Sequence, residues 1–124
     1  MEIFKLKAHK YAQCGYFNDT YLAGKKGWCV EWGFISYSTK VLIIRGTRVL
    51  FTGYYSHTTS KQMTWWMNEH AHRIAGLTKK ILEIMCKKGL AYDYETGELT
   101  PLTDYEIKEI KHIRAKAFNY GYGW

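Results

Sequence analysis

The chain has 124 residues, 47% of them hydrophobic, 17% aromatic and 23% charged, which is the make-up of one folded domain and excludes a largely disordered chain. Its formal net charge is +7. The longest strictly aliphatic run, Val41 to Ile44, falls far short of the ~20 residues a membrane helix needs, and MEIFKLKAHK lacks the apolar stretch of a secretory signal, so a cytoplasmic location with no membrane partner is expected.

Residues 2–10 alternate, with Phe4, Leu6 and Ala8 on one side, as in a strand. Asn18 to Gly27 gathers Asn, Asp, Thr and Gly, and reads as a loop. Trp28–Tyr37 is the clearest β block: Trp28, Val30, Trp32 and Phe34 share one face, and Cys29, Glu31, Gly33 and Ile35 share the other. Val41–Ile44 and Val49–Phe51 flank Arg45-Gly46-Thr47-Arg48, a hairpin signal.

After Ser56 the period changes. Met63, Trp66, His70, Ile74, Leu77, Ile81 and Ile84 recur every three or four positions, which predicts helix up to Lys88 with Gly89 as its stop. Gly76 leaves open one kinked helix or two over 60–88. Residues 90–102 read as a linker holding the single Pro. A second helix is predicted from Thr103, whose spacing to Glu106 matches a capping box, and it should bury Ile107, Ile110, Ile113 and Ala117. The expected architecture is a single α+β domain over residues 1–124. An antiparallel sheet of three or four strands in the N-terminal half is packed on one face by two or three helices from the C-terminal half.

Catalytic motifs are missing. No nucleophile elbow or cysteine-protease pattern surrounds any Cys, and there is no P-loop or Rossmann fingerprint. The acids cluster in 93–109, where turns and helix starts account for them. An odd number of cysteines, with no CxxC spacing, points to reduced thiols. No cofactor is required. Cys and neutral His are natural zinc ligands, so zinc could be held by Cys14 and Cys29 with His9 or His57, and no ligand set is singled out.

Charge and aromatic rings carry the functional reading. Residues 1–91 hold 14 of the 18 Lys and Arg and five of the 11 acids. A basic body of this kind suits a negative partner, nucleic acid or nucleoprotein. Lys40, Arg45 and Arg48 around the hairpin, with Tyr54, Tyr55 and Trp65, supply cations for phosphates and rings for bases. Thr59, Ser60 and Lys61 lie where the last strand gives way to helix, a junction whose exposed amides attract anions, although helix capping alone explains its hydroxyls.

Phe34-Ile35-Ser36-Tyr37-Ser38-Thr39-Lys40-Val41, Gly53-Tyr54-Tyr55-Ser56 and Thr58-Thr59-Ser60-Lys61-Gln62 together resemble a group of small phage and prophage proteins with the pattern SYxTxV…YYSxTTSKH. Gln62 stands where that group shows His. In its size, its phage-type origin and its lack of a catalytic motif the chain also resembles anti-CRISPR proteins, in genre and not in motif. That resemblance implies a non-enzymatic inhibitor of a host CRISPR effector nuclease that blocks guide or target nucleic-acid loading. A charge of +7 argues against a DNA mimic. The alternatives are a small basic nucleic-acid-binding accessory protein and, with less support, a zinc- or cysteine-dependent enzyme.

Overall fold

A computed structural model describes residues 2–5, 14–22, 28–36, 39–53 and 77–119. Its strands are β1 (Glu2–Lys5), β2 (Cys14–Leu22), β3 (Trp28–Ser36), β4 (Thr39–Arg45), β5 (Arg48–Phe51), β6 (Leu90–Asp93) and β7 (Leu99–Pro101). Its helices are α1 (Lys79–Lys88) and α2 (Asp104–Asn119). The seven strands form one sheet in chain order, every neighbouring pair antiparallel. The α+β class and the antiparallel meander agree with the sequence reading. The strand count and the helix placement differ from it.

Consecutive strand residues point to opposite faces, and the core divides accordingly. Phe34, Leu42, Ile44, Val49, Phe51 and Tyr92 pack with Leu82 and Met85 of α1. Phe17, Ile35, Ile43, Leu50 and Ala91 form a second cluster, against which Ile113 of α2 packs. The two helices therefore cover opposite faces, not the single face expected. Burying one such side chain contributes about 1.5–3 kcal/mol, so both layers hold the sheet.

Two segments read as irregular are strands. Asn18 to Leu22 completes β2, where Asn18 pairs with Trp32 and Thr20 with Val30; an available partner edge outweighs the weak strand preference of Asn and Asp. The expected linker 90–102 supplies β6 and β7. Pro101 is tolerated there because it ends the outermost strand, where no further ladder needs its missing N–H.

Gly33 shows why β3 and β4 lie so close. A Cβ built on it would sit 1.9 Å from the Leu42 carbonyl oxygen, so no larger residue fits without parting the strands. The register shifts just beyond it, between Phe34 and Ile35.

Helix boundaries follow local chemistry. Thr78 is the N-cap of α1, its Oγ1 accepting from the Ile81 amide at 3.3 Å, with extended φ and ψ of −122° and 165°. A helix running unbroken through 60–88 is thus excluded, because Leu77 and Thr78 are not helical; residues 60–76 lie outside the described residues. Gly89 ends α1 at φ 65°, in the left-handed region. The Thr103–Glu106 capping box forms in both directions, at 2.9 Å and 3.2 Å. In α2, Ile110 is buried and Ile113 half-buried, whereas Ile107, expected inside, is 37% exposed. Glu106, not Ile107, takes the position against the sheet.

Candidate functional site

The hairpin joining β4 and β5 turns through Gly46-Thr47, with Gly46 at φ 61°. A two-residue turn of this kind needs positive φ, which Gly adopts without strain. Tyr94 secures the tip: its amide donates to the Thr47 carbonyl at 3.0 Å and its hydroxyl to the Gly46 carbonyl at 3.0 Å. Because the turn is tight, Arg45 and Arg48 stand directly opposite each other. The register continues the row, with Glu31 beside Arg45 and Asp93 beside Arg48. All four belong to the face that α2 covers.

From α2, one turn brings Glu106 and Glu109 down onto this row. Arg45 grips Glu109 with both ends of its fork, Nη1 to Oε1 at 2.9 Å and Nη2 to Oε2 at 2.5 Å. Its Nε donates to Glu31 Oε2 at 2.9 Å, and Lys40 Nζ donates to Glu31 Oε1 at 2.5 Å. Lys40 also lies over the Phe17 ring, 4.9 Å from its centroid. Arg48 donates to Glu106 through Nε and Nη2, each at 2.8 Å, and through its two Nη atoms to Thr100 Oγ1 and the Pro101 carbonyl.

Titration behaviour follows from this geometry. Burial alone pushes the Glu31 carboxyl upward, since only 3% of the residue is exposed. Hydrogen bonds and charge from Lys40 and Arg45 overcome that and leave it below the usual carboxylate range. Glu106 behaves alike, burial raising it and the bonds from Arg48 and Thr103 bringing it down. Arg48 is held further toward its charged form, first by its bonds to Glu106. Burial opposes the charge on Arg45, but Glu109 and Glu31 outweigh it, so Arg45 also stays charged. Asp93 is lowered chiefly by accepting from the Thr96 amide in its own turn.

The structure therefore places Lys40, Arg45 and Arg48 together, as the sequence reading grouped them, and gives each a carboxylate partner inside the fold. The other expected binding residues, Tyr54, Tyr55, Thr59, Ser60, Lys61 and Trp65, lie outside the described residues, as do His9 and His57. No cluster of three or more His, Cys, Asp or Glu able to hold a metal occurs among the described residues. Cys14 and Cys29 do not come together: Cys14 pairs with Ser36 and Cys29 with Tyr21, which separates them by seven ladder positions, about 23 Å at ~3.3 Å per residue. A zinc site joining those two thiols is excluded by that register. Cys86 is half-buried on α1, where Arg114 Nη2 reaches its sulfur at 3.4 Å and Arg114 Nε donates to the Thr52 carbonyl at 2.6 Å.

Sequence reasoning passed over a different set of residues. With Glu106, Ile110 and Ile113 turned to the sheet, the 3.6-residue period puts Asp104, Lys108, Lys111 and Ala115 on the outer side of α2, with Tyr105, His112 and Lys116 along its edge, and all seven are exposed. Tyr105 is 71% exposed. The signal was present in the helical spacing of the charges, but was masked by the acids that share the segment.

No protein-family model matches the chain, and no curated protein or solved structure shows significant similarity to it. No helix among the described residues is long and apolar enough to cross a membrane.

Proposed function

We propose that this chain is a non-enzymatic, phage-type binding protein that inhibits a host RNA-guided defence nuclease by blocking the loading of guide or target nucleic acid. One observation carries the reading: α2 exposes Lys108, Lys111 and Lys116 against one exposed acid, Asp104, while both glutamates of its middle face inward. A surface of that sign competes for a nuclease's acidic groups or joins its bound nucleic acid; a DNA mimic would carry the opposite charge. The phage-like motif around residues 34–62 supplies the biological setting.

The experiment is target cleavage by purified RNA-guided nucleases of several types, each mixed with this protein before guide or target is added. Inhibition that saturates near one protein per nuclease is the expected result. Unchanged cleavage by every nuclease at tenfold molar excess would refute the proposal.

A second reading, a basic accessory protein that binds nucleic acid directly, is favoured by Tyr105, whose exposed ring adjoins Lys108 on the same helical face. It predicts a complex with single strands that weakens steeply as salt rises.

A further inference from the structure

The hairpin of β2 and β3 outruns the strands on either side of it. β1 stops at Glu2, the partner of Asn18. β4 stops at Arg45, the partner of Glu31, and turns away into β5. Beyond those rungs the pairing continues as Thr20 with Val30, Tyr21 with Cys29 and Leu22 with Trp28. Among the described residues these six pair with no other strand. At ~3.3 Å per residue, three rungs carry a two-stranded arm about 10 Å past the sheet. Alternation sets Thr20, Leu22, Trp28 and Val30 on one side of it, and Tyr21 and Cys29 on the other.

The arm differs in chemistry from the rest of the surface. All six residues are uncharged, whereas most exposed positions on α1 and α2 carry a charge. Thr20 is exposed and Val30 is 52% exposed, although Glu31 to Ile35, next along the same strand, are buried or half-buried. The nearest acids, Asp19 and Glu31, pair at the arm's base, and Glu31 is already matched by Lys40 and Arg45. Lys25 and Lys26, in the stretch that joins the two strands in sequence, lie outside the described residues.

We infer that the arm formed by Thr20–Leu22 and Trp28–Val30 seats this chain in an apolar cleft of the nuclease it inhibits. The inference rests on the inhibitor reading above and names the element that docks. Composition selects a protein occupant: the described arm offers a phosphate no cation, whereas the centres of protein interfaces are poor in charge and rich in Trp and Tyr. Shape agrees, since a ribbon standing clear of its sheet enters a cleft too narrow for the whole domain.

The test uses a nuclease that responds in the cleavage assay, prepared without guide RNA. The unaltered chain should co-elute with the guide-free nuclease on size exclusion. Val30→Glu places a charge in the apolar contact and should raise the half-inhibitory concentration at least about tenfold. Val30→Thr keeps the β-branched shape and strand preference, and should raise it about three- to fivefold for the methyl group lost from the contact. That variant decides the matter if thermal melting shows Val30→Glu to be unfolded. Ile107→Glu, a like change at an aliphatic position 37% exposed on α2, should stay within about twofold. Equal losses from Val30→Glu and Ile107→Glu, or folded Val30 variants that inhibit fully, would overturn the arm's role while leaving inhibition in place. Binding that appears only once guide or target is present would overturn the protein occupant in favour of nucleic acid. Unchanged cleavage by every nuclease with the unaltered chain would remove the inhibitor reading itself, and the arm's role with it.

Discussion

Arg45 and Glu109 meet fork to fork, at 2.9 Å and 2.5 Å, and join the middle of the sheet to the helix across it. The same guanidinium donates to Glu31, so one cation from the hairpin stem serves two acids from two other elements. Paired, planar bonds of this kind are roughly twice as strong as neutral ones. The hairpin cations are thus part of what seats α2 on the sheet.

Removing the buried carboxylate of that network should be costly. Glu31→Gln leaves Lys40 and Arg45 facing a neutral amide. Breaking a buried pair costs about 3–5 kcal/mol, and partners that keep a quarter of their side-chain surface exposed reduce this to about 2–3 kcal/mol. Urea denaturation should show the midpoint falling with the slope unchanged. An unaltered midpoint would mean the network contributes nothing to stability.

Acid should act through the same groups. Glu31, Glu106 and Asp93 are each lowered in the folded protein. Their contribution is therefore complete above the unfolded carboxylate range, near pH 4–4.5, and is lost as pH falls through the folded values. Thermal melts should be flat from about pH 6 to 8 and drop below about pH 4.5. Glu31→Gln should flatten that decline, and a melt equally acid-sensitive in the variant would remove Glu31 from the explanation.

Backbone approach gives a sharper test. Gly33→Ala puts a methyl group 1.9 Å from the Leu42 carbonyl oxygen and 2.8 Å from its carbon. Both atoms are main chain, so no side chain can move aside. A loss of about 3 kcal/mol or more is expected, with faster amide exchange along β3 and β4. Wild-type stability would show that the two strands part easily. By contrast Thr103→Ala, which removes one half of the capping box, should cost only about 1 kcal/mol.

The residues differ in how plainly they announced these roles. The Arg45-Gly46-Thr47-Arg48 turn, the Gly89 stop and the Thr103–Glu106 cap could be read directly, because each is set by neighbours a few positions apart. Strands β6 and β7 could not, since LAYD and LTP are too short to show a period and gain their state from pairing, β6 with β5 and β7 with β6. The candidate site was half legible. Lys40, Arg45 and Arg48 stood out as a basic group, but their partners lie 9, 64 and 58 residues away in sequence. The reverse error affected α2. Residues 92–124 hold six acids against four Lys and Arg, yet α2 turns Glu106 and Glu109 inward and exposes three lysines against Asp104 alone, so the helix surface is net positive within a segment of net negative charge.

That division of labour, inward cations for the fold and outward cations for binding, is open to one decisive measurement. The salt slope of oligo(dT) binding and the urea midpoint are both determined for Arg48→Met, whose altered side chain stays long and loses its charge. The account predicts a lower midpoint, by about 1–2 kcal/mol of stability, with a slope equal to that of the unaltered chain. A slope shallower by about 0.7, the share of a single phosphate, with the midpoint unmoved, would contradict it.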